Sequence, residues 1–188
     1  MPEIIETSSE RLILRRWREC DRPPFAALNA DPEVMRHFPA TLGREQSDAS
    51  IDFWDAQFAE RGWSCWAVEL RQGGAFIGFI GLSVPRRQLP FSPCVEVGWR
   101  LARPHWGQGL ASEGARAALG VGFTRLKLAE IVSFTSLGNQ RSRAVMERIG
   151  MTNAQEDFDH PAVAEGSPLR RHCLYRITHA QWQRTAGG

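Results

Sequence analysis

The chain has 188 residues, 43% of them hydrophobic and 23% charged, with a formal net charge of +2. A chain of this length fits one domain that buries roughly 70% of the surface its unfolded form exposes, and the composition excludes a disordered or low-complexity protein. The small net charge, carried by 22 arginines, one lysine (Lys127) and their acidic partners, excludes a molecule-wide nucleic-acid or membrane-surface binder and confines any anion site to one locality. Disorder is expected only at the Gly187-Gly188 end.

Cys20, Cys65, Cys94 and Cys173 stand isolated, with neither zinc-site spacing nor disulfide-scaffold density, and read as reduced core thiols. The five histidines show no metal-ligand spacing, so no metal is expected. The opening “MPEIIETSSERL” is acidic where a signal peptide is basic, and no apolar run reaches the roughly 18 residues of a membrane span. A cytoplasmic protein is expected.

“RLILRRWR”, Arg11 to Arg18, alternates Leu12, Leu14 and Arg16 against Ile13, Arg15 and Trp17, a strand pattern. Asp21 reads as a helix cap, with Pro23 near the first turn and Phe25, Leu28 and Asn29 following. A second helix is predicted from near Ser47 to Gly62, with Ile51, Trp54 and Phe58 on one face. “WSCWAVEL” (Trp63 to Leu70), the turn “RQGG” and “AFIGFIGLSV” (Ala75 to Val84) form an antiparallel hairpin. “CVEVGWRL” (Cys94 to Leu101) is a further strand, stopped by Pro104.

A long helix is predicted from Gly107, with Ala111, Ala115, Ala118, Leu119, Gly122, Phe123 and Leu126 on its apolar stripe and Glu113, Arg116 and Arg125 off it. “EIVSFT” (Glu130 to Thr135) reads as a buried parallel strand. Asn139 caps a helix that carries Val145 and Ile149 and ends at Gly150. A last strand, “RHCLYRI” (Arg171 to Ile177), follows an irregular polar stretch from Gln155 to Pro168. The order β, α, α, β, β, β, α, β, α, β describes an α/β (α+β) fold: a mixed sheet, antiparallel in its first half, with one βαβ unit and no dividing linker.

Between the strand and the long helix lies “RPHWGQGLASEG” (Arg103 to Gly114), with Gly107 and Gly109 one residue apart. A glycine-spaced turn at a helix N-terminus is an anion cradle, because amide N–H groups there lack helical partners and glycine lets an oxygen approach. A tight turn with no ligand fits the same residues. Ser112 replaces the third glycine of a dinucleotide fingerprint, and the P-loop spacing is absent. Upstream, Glu96 interrupts an apolar strand and shares a face with Arg100. It is either a structural partner of Arg100 or a functional base.

These residues resemble the GNAT superfamily of N-acetyltransferases, whose signature of Arg/Gln-x-x-Gly-x-Gly/Ala is met in “WGQGLA” at Gly109 and Ala111, with Trp106 a departure at the Arg/Gln position. “SERLILRRWRECD”, “DPEVMRHFP”, “CVEVGWRLARPHWGQGLASEG”, “GNQRSRAVMERIGM” and “RHCLYRI” extend the resemblance over nearly the whole chain. They are similar to the branch that acetylates the N-termini of ribosomal proteins. The resemblance implies one GNAT domain over residues 1–188, a mostly antiparallel sheet with a central splayed parallel strand pair and flanking helices, and acetyl-CoA as cosubstrate. Its pyrophosphate would rest on Gln108 to Ala111, within a contact set of Leu101, Arg103, Trp106, Gly107, Gln108, Gly109, Leu110, Ala111, Asn139 and Ser142. Its pantetheine arm would lie between the Cys94–Leu101 and Glu130–Thr135 strands.

Glu96 is the candidate base, and a backbone N–H near Leu101 the candidate oxyanion donor. Many GNAT enzymes carry a tyrosine proton donor where this chain has Met146; the branch resembled here uses the serine of Asn-x-x-Ser, which is Ser142 in “NQRS”. An ordinary exposed helix serine is the alternative, and Tyr175 reads as core. Arg141, Arg143 and Arg148 are either ligands of the CoA 3'-phosphate or solvated helix face, and His105 reads as surface. The acceptor groove is expected among the Asp21–Gly62 helices and the loops after Val84 and Asn153, with Phe38, Trp54, Trp63 and Phe91 as lining or core. “QEDFD” (Gln155 to Asp159) is either an acidic recognition cluster or a solvated loop. The expected activity is acetyl transfer to a primary amine, favouring a peptide or protein α-amine; a small-molecule amine and a non-catalytic CoA-binding module are the alternatives. No nucleic-acid or membrane partner is expected, and the protein is expected to be a monomer or homodimer.

Overall fold

The computed structural model describes residues 2–186, so the Gly187-Gly188 end lies outside the described residues. Strands β1 (Thr7–Ser8) and β2 (Leu12–Arg15) lead to helices α1 (Arg22–Ala30) and α2 (Arg44–Arg61). Strands β3 (Cys65–Leu70), β4 (Phe76–Ser83) and β5 (Glu96–Leu101) follow, then helix α3 (Leu110–Gly120) and strand β6 (Glu130–Ser136). Helix α4 (Gln140–Arg148), strands β7 (Thr152–Asn153), β8 (Phe158–Asp159) and β9 (Arg171–Thr178), and helix α5 (His179–Ala186) complete the chain. All strands join one sheet in the order β1-β2-β3-β4-β5-β6-β9-β7, with β8 paired to β9 beside that path. Every pairing is antiparallel except β5 with β6. This is the mixed α/β single-domain fold expected.

Alternation in β4 and β5 gives the sheet two faces. Ile80, Leu82, Val97 and Leu101 are buried on the α3 side, where Gly114 and Gly122 sit so close that a Cβ would run into Ile80 and Ile131. On the other face Phe79 packs on Trp54 of α2, ring centroids 4.6 Å apart, and on Phe25 of α1 at 6.2 Å. Glu96, Gly98 and Arg100 share this second face, opposite Ser83, Gly81 and Phe79 of β4.

Several elements differ from the sequence reading. The first strand ends at Arg15 because the Arg16 amide turns to the Glu6 carboxylate at 2.8 Å. Asp21 holds the N-cap position of α1 as expected but makes no side-chain capping bond there: its carboxylate accepts the Arg18 amide at 2.8 Å and pairs with buried Arg15 at 2.7 Å. Helix α2 starts at Arg44 rather than near Ser47, because the Gly43 N–H donates to Gln46 Oε1 at 3.0 Å. Ser47 is buried and accepts from Asn29 Nδ2 at 2.9 Å.

The long helix divides after Gly120. Thr124 Oγ1 donates to the Gly120 carbonyl at 2.6 Å, and the Leu126 amide reaches back five residues to Val121 O at 3.1 Å, a π-turn. Helix α5, absent from the sequence reading, stacks Trp182 and His179 on Phe123. Of the four free cysteines only Cys65 and Cys173 are core; Cys94 is half-buried and Cys20 is exposed on the turn before α1. No helix among the described residues is long and apolar enough to cross a membrane.

Candidate active site

Strands β5 and β6 pair only at their start and then separate. The Val132 amide donates to Val95 O at 2.9 Å and Ser133 Oγ to Val97 O at 2.9 Å, and the single parallel register pair is Glu96 with Val132. Backbone groups of alternate residues point to the same strand edge, so Trp99 and Leu101 present theirs to the gap beyond Val97. The Trp106 indole caps the Leu101 carbonyl at 2.7 Å. Two amides therefore face the opening: that of Trp99 near its apex and that of Leu101 one repeat further out.

At the wide end of the gap stands the glycine turn. Gly107 and Gly109 both adopt left-handed backbone, φ +73° and +77°, and Gly109 is the N-terminal cap of α3. The amides of Gln108, Gly109, Leu110 and Ala111 find no acceptor among the described residues; the first helical bond is Glu113 N–H to Gly109 O at 3.0 Å. No side chain caps the helix, so its positive end is bare.

The turn is held from outside. Arg11 Nη1 donates to Gln108 O at 3.0 Å, and Arg11 Nε pairs with Glu113 Oε2 at 2.6 Å. Glu113 Oε1 also accepts the Arg11 amide and Ser9 Oγ, both at 2.7 Å. Burial alone would raise the Glu113 carboxyl, but bonds from Ser9 and Arg11 outweigh it and hold the group below its ordinary range. Glu113 is thus an anchor and not a free off-stripe residue.

A cavity of about 1710 Å³ follows the gap, larger than the roughly 300–1,000 Å³ of a typical small-ligand site. Leu101, Arg103, Trp106, Gly107, Gly109, Leu110, Ala111, Asn139, Ser142 and Glu96 all line it. Gln108 is not among the lining residues, and its side chain donates to Pro104 O at 3.0 Å. Trp106, at the position of the departure from the signature, carries the Arg141 guanidinium 4.6 Å from its ring centroid. Arg141 and Arg148 border the cavity, whereas Arg143, half-buried, does not line it and donates to Tyr175 Oη (3.4 Å) and Leu137 O (3.3 Å). His105 is half-buried at the cavity rim and not a free surface residue.

Across the gap, Asn139 caps α4, its Oδ1 accepting the Ser142 amide at 3.3 Å. Its Nδ2 donates to Thr135 Oγ1 at 2.9 Å and Ser142 Oγ at 3.1 Å. Ser142 Oγ therefore receives one hydrogen bond and keeps its own hydrogen free to donate. It is half-buried, not an exposed helix serine. Met146 is buried, and Tyr175, 2% exposed, donates to Glu147 Oε1 at 2.9 Å, well engaged in the core.

Glu96 lies at the apex on the α1/α2 face. Burial pushes its carboxyl up to about 8, and among the described residues it forms no ion pair or side-chain hydrogen bond. The structural pair with Arg100 does not form: Arg100 Nη1 donates to Asn29 Oδ1 at 2.7 Å instead. Gly98, and Gly81 opposite it on β4, leave bare backbone beside the carboxylate. A second, smaller cavity of about 280 Å³ also opens onto Glu96, lined by Phe53, Trp54, Arg86, Arg87, Phe134 and His160 among others.

Of the expected acceptor aromatics, Phe38 and Trp54 line the large cavity. Trp63 packs on the main core and Phe91 on Phe134 and Phe158. The “QEDFD” acids form no recognition cluster, because Glu156 pairs with Arg176 and Asp159 with Arg170 and Arg171, while Phe158 is buried. Sequence reasoning missed His160 and His172, whose tilted rings lie 4.8 Å apart at the cavity wall. Burial, then the neighbouring His172, pushes His160 down to about 4 and keeps it neutral. Neither residue carries a motif; β9 and the preceding loop bring them together.

Known proteins agree with this architecture. Residues 11–152 match the family model described as an acetyltransferase (GNAT) domain. An FsC-acetyl coenzyme A-N(2)-transacetylase of Aspergillus fumigatus is 33% identical over 171 residues, spanning 84% of this chain and 69% of that protein. An acetyltransferase from Agrobacterium tumefaciens superposes with TM-score 0.74 at 28% identity, over 94% of this chain and 96% of that one. Mycobacterium smegmatis RimJ, solved with CoA-disulfide, shares the fold with TM-score 0.73 at 20% identity, over 97% and 95% of the chains. GNAT acetyltransferases use acetyl-CoA. A splayed parallel pair, a bare helix N-terminus at its mouth and a family match over most of the chain lead to one conclusion: this protein belongs to the GNAT family and is an acetyltransferase.

Proposed function

We propose that the chain, acting as one domain in the cytoplasm, transfers the acetyl group of acetyl-CoA to the α-amine of a protein or peptide N-terminus. The observation that carries this reading is the open edge of β5, which runs from the unpaired amides of Gln108 to Ala111 to the Glu96 carboxylate at the apex. Those amides match a diphosphate in number and sign, and the Trp99 and Leu101 amides match an arm that bears amides of its own. Acetyl-CoA, when bound, supplies an activated thioester.

Glu96 takes the proton that the attacking amine loses. Its pKa of about 8 matches the roughly 7.7–8.0 of an α-amine far better than the roughly 10.4 of lysine. The Trp99 or Leu101 N–H donates to the oxygen on which charge develops. Ser142 Oγ–H, oriented by Asn139, donates to the departing sulfur. A second reading, a small-molecule amine, is favoured by the relative named as an N(2)-transacetylase.

Thiol release from acetyl-CoA, followed over peptides with free and with blocked N-termini, tests the proposal. Release is expected only with free α-amines; release with spermidine or a lysine side chain alone supports the second reading.

A further inference from the structure

The acceptor face carries a half-buried cation that the mechanism leaves unused. Arg100 is two side-chain repeats from Glu96 on the same face of β5, about 13 Å along the strand, and it lines the large cavity. Its guanidinium carbon lies 4.2 Å from the Phe38 ring centroid and 5.4 Å from that of Phe79. Nη1 is held by Asn29, which is itself buried and tied to Ser47. The opposite edge is free: Nε is buried without a partner, and Nη2 makes no hydrogen bond.

No carboxylate compensates this charge. Arg100 joins none of the ion pairs among the described residues, and burial pushes it down to about 10, which leaves it protonated at neutral pH. A half-buried charge left without a countercharge is costly, and Nη2, which makes no hydrogen bond, offers its N–H groups to one carboxylate in a charge-assisted bond. Arg86, 3.7 Å over the Phe53 ring, and Arg87 line the smaller cavity, where Glu96 is the sole acid. The bare backbone at Gly98 lies between base and cation.

We infer that Arg100 is a specificity-determining residue that binds a carboxylate of the acceptor, so that the substrate is an amine with an acidic group downstream and not a polycation. This rests on the acetyl transfer proposed above. The carboxylate can belong to an acidic side chain near a peptide N-terminus or to the free end of a short amino acid or peptide, and the test separates these sources.

Initial rates of thiol release are compared for the amidated tripeptides Ala-Glu-Ala and Ala-Gln-Ala, for Ala-Gln-Ala with a free carboxylate, and for spermidine. At least one acidic member is expected to exceed amidated Ala-Gln-Ala about tenfold or more in kcat/KM, mainly through KM, and which member does so names the source. Arg100→Met is expected to collapse that ratio to near one without changing acetyl-CoA affinity. Phe38→Ala, at a residue 39% exposed and therefore safe for folding, is expected to lower the ratio in part. Equal rates for all three peptides in the unmodified protein, a ratio that survives Arg100→Met, or preference for spermidine would overturn the inference while leaving acetyl transfer intact. Thiol release with no amine at all would overturn both.

Discussion

Glu96 is the residue on which chemistry and stability meet. Half-buried and without a partner among the described residues, its carboxyl is desolvated enough to keep its proton to about pH 8, whereas in the unfolded chain it ionises near pH 4.5. Between those values the folded state binds the extra proton, so stability falls as pH rises through the window. Glu96→Gln removes this penalty. Its melting temperature is expected to lie above that of the parent at pH 9 and to approach it below pH 5, which thermal unfolding at the two pH values checks. At pH 7 only about a tenth of the carboxyl is ionised. The kcat/KM profile for an α-amine peptide is therefore expected to rise through pH 8 beyond the amine's own titration, and the extra limb should vanish in Glu96→Gln.

Ser142 makes a separate prediction. Because Asn139 donates to Oγ, the Ser142 hydroxyl keeps its own hydrogen available to donate. Ser142→Ala is expected to lower kcat by about a hundredfold while acetyl-CoA affinity, read by calorimetry, changes less than about twofold. Loss of affinity in proportion to kcat would make the hydroxyl a binding group and not a donor.

Among the elements, the turn before α3 is set by long-range contacts rather than by its own sequence. Gly107 and Gly109 were legible as a cradle because left-handed backbone favours glycine. The clamp was not, since Ser9 and Arg11 reach Glu113 across 104 and 102 positions of sequence. Glu113→Gln weakens that clamp and is expected to raise the acetyl-CoA dissociation constant about fivefold or more with little loss of stability. Gly81 is the opposite case: a Cβ there meets Ser64 O at 2.7 Å and Cys65 N at 3.0 Å, backbone atoms at the start of β3 that cannot yield. Gly81→Ala is expected to cost about 1–3 kcal/mol in urea unfolding.

The long elements could be read because periodicity and punctuation agree in them, as with Asn139 and Gly150 at the ends of α4. The two-residue strands β1, β7 and β8 could not, because each exists only through its partner. Helix α5 escaped notice because the short, polar “HAQWQRTA” is committed by Trp182 and His179 on Phe123, not by propensity. The Arg100 site escaped for a related reason: its content is a missing countercharge, and only the fold shows which acids fail to arrive.

The whole molecule brings two entrances to one gap. The sheet separates the bare end of α3 from the α1/α2 face that carries Glu96 and Arg100, and the splay of β5 from β6 is the passage between them. Alternation in β5 thus sorts the site: odd-numbered residues Trp99 and Leu101 offer backbone to the gap, and even-numbered Glu96 and Arg100 turn their side chains to the α1/α2 face. The central claim is that the unpaired amides of Gln108 to Ala111 seat a diphosphate and so aim the thioester at the apex. Calorimetric titration of the protein with acetyl-CoA and with S-acetylpantetheine, which lacks the diphosphate, tests it most directly. Acetyl-CoA is expected to bind more tightly by about a hundredfold, roughly 2.7 kcal/mol; equal affinity for the two, or no binding of acetyl-CoA, would contradict the account.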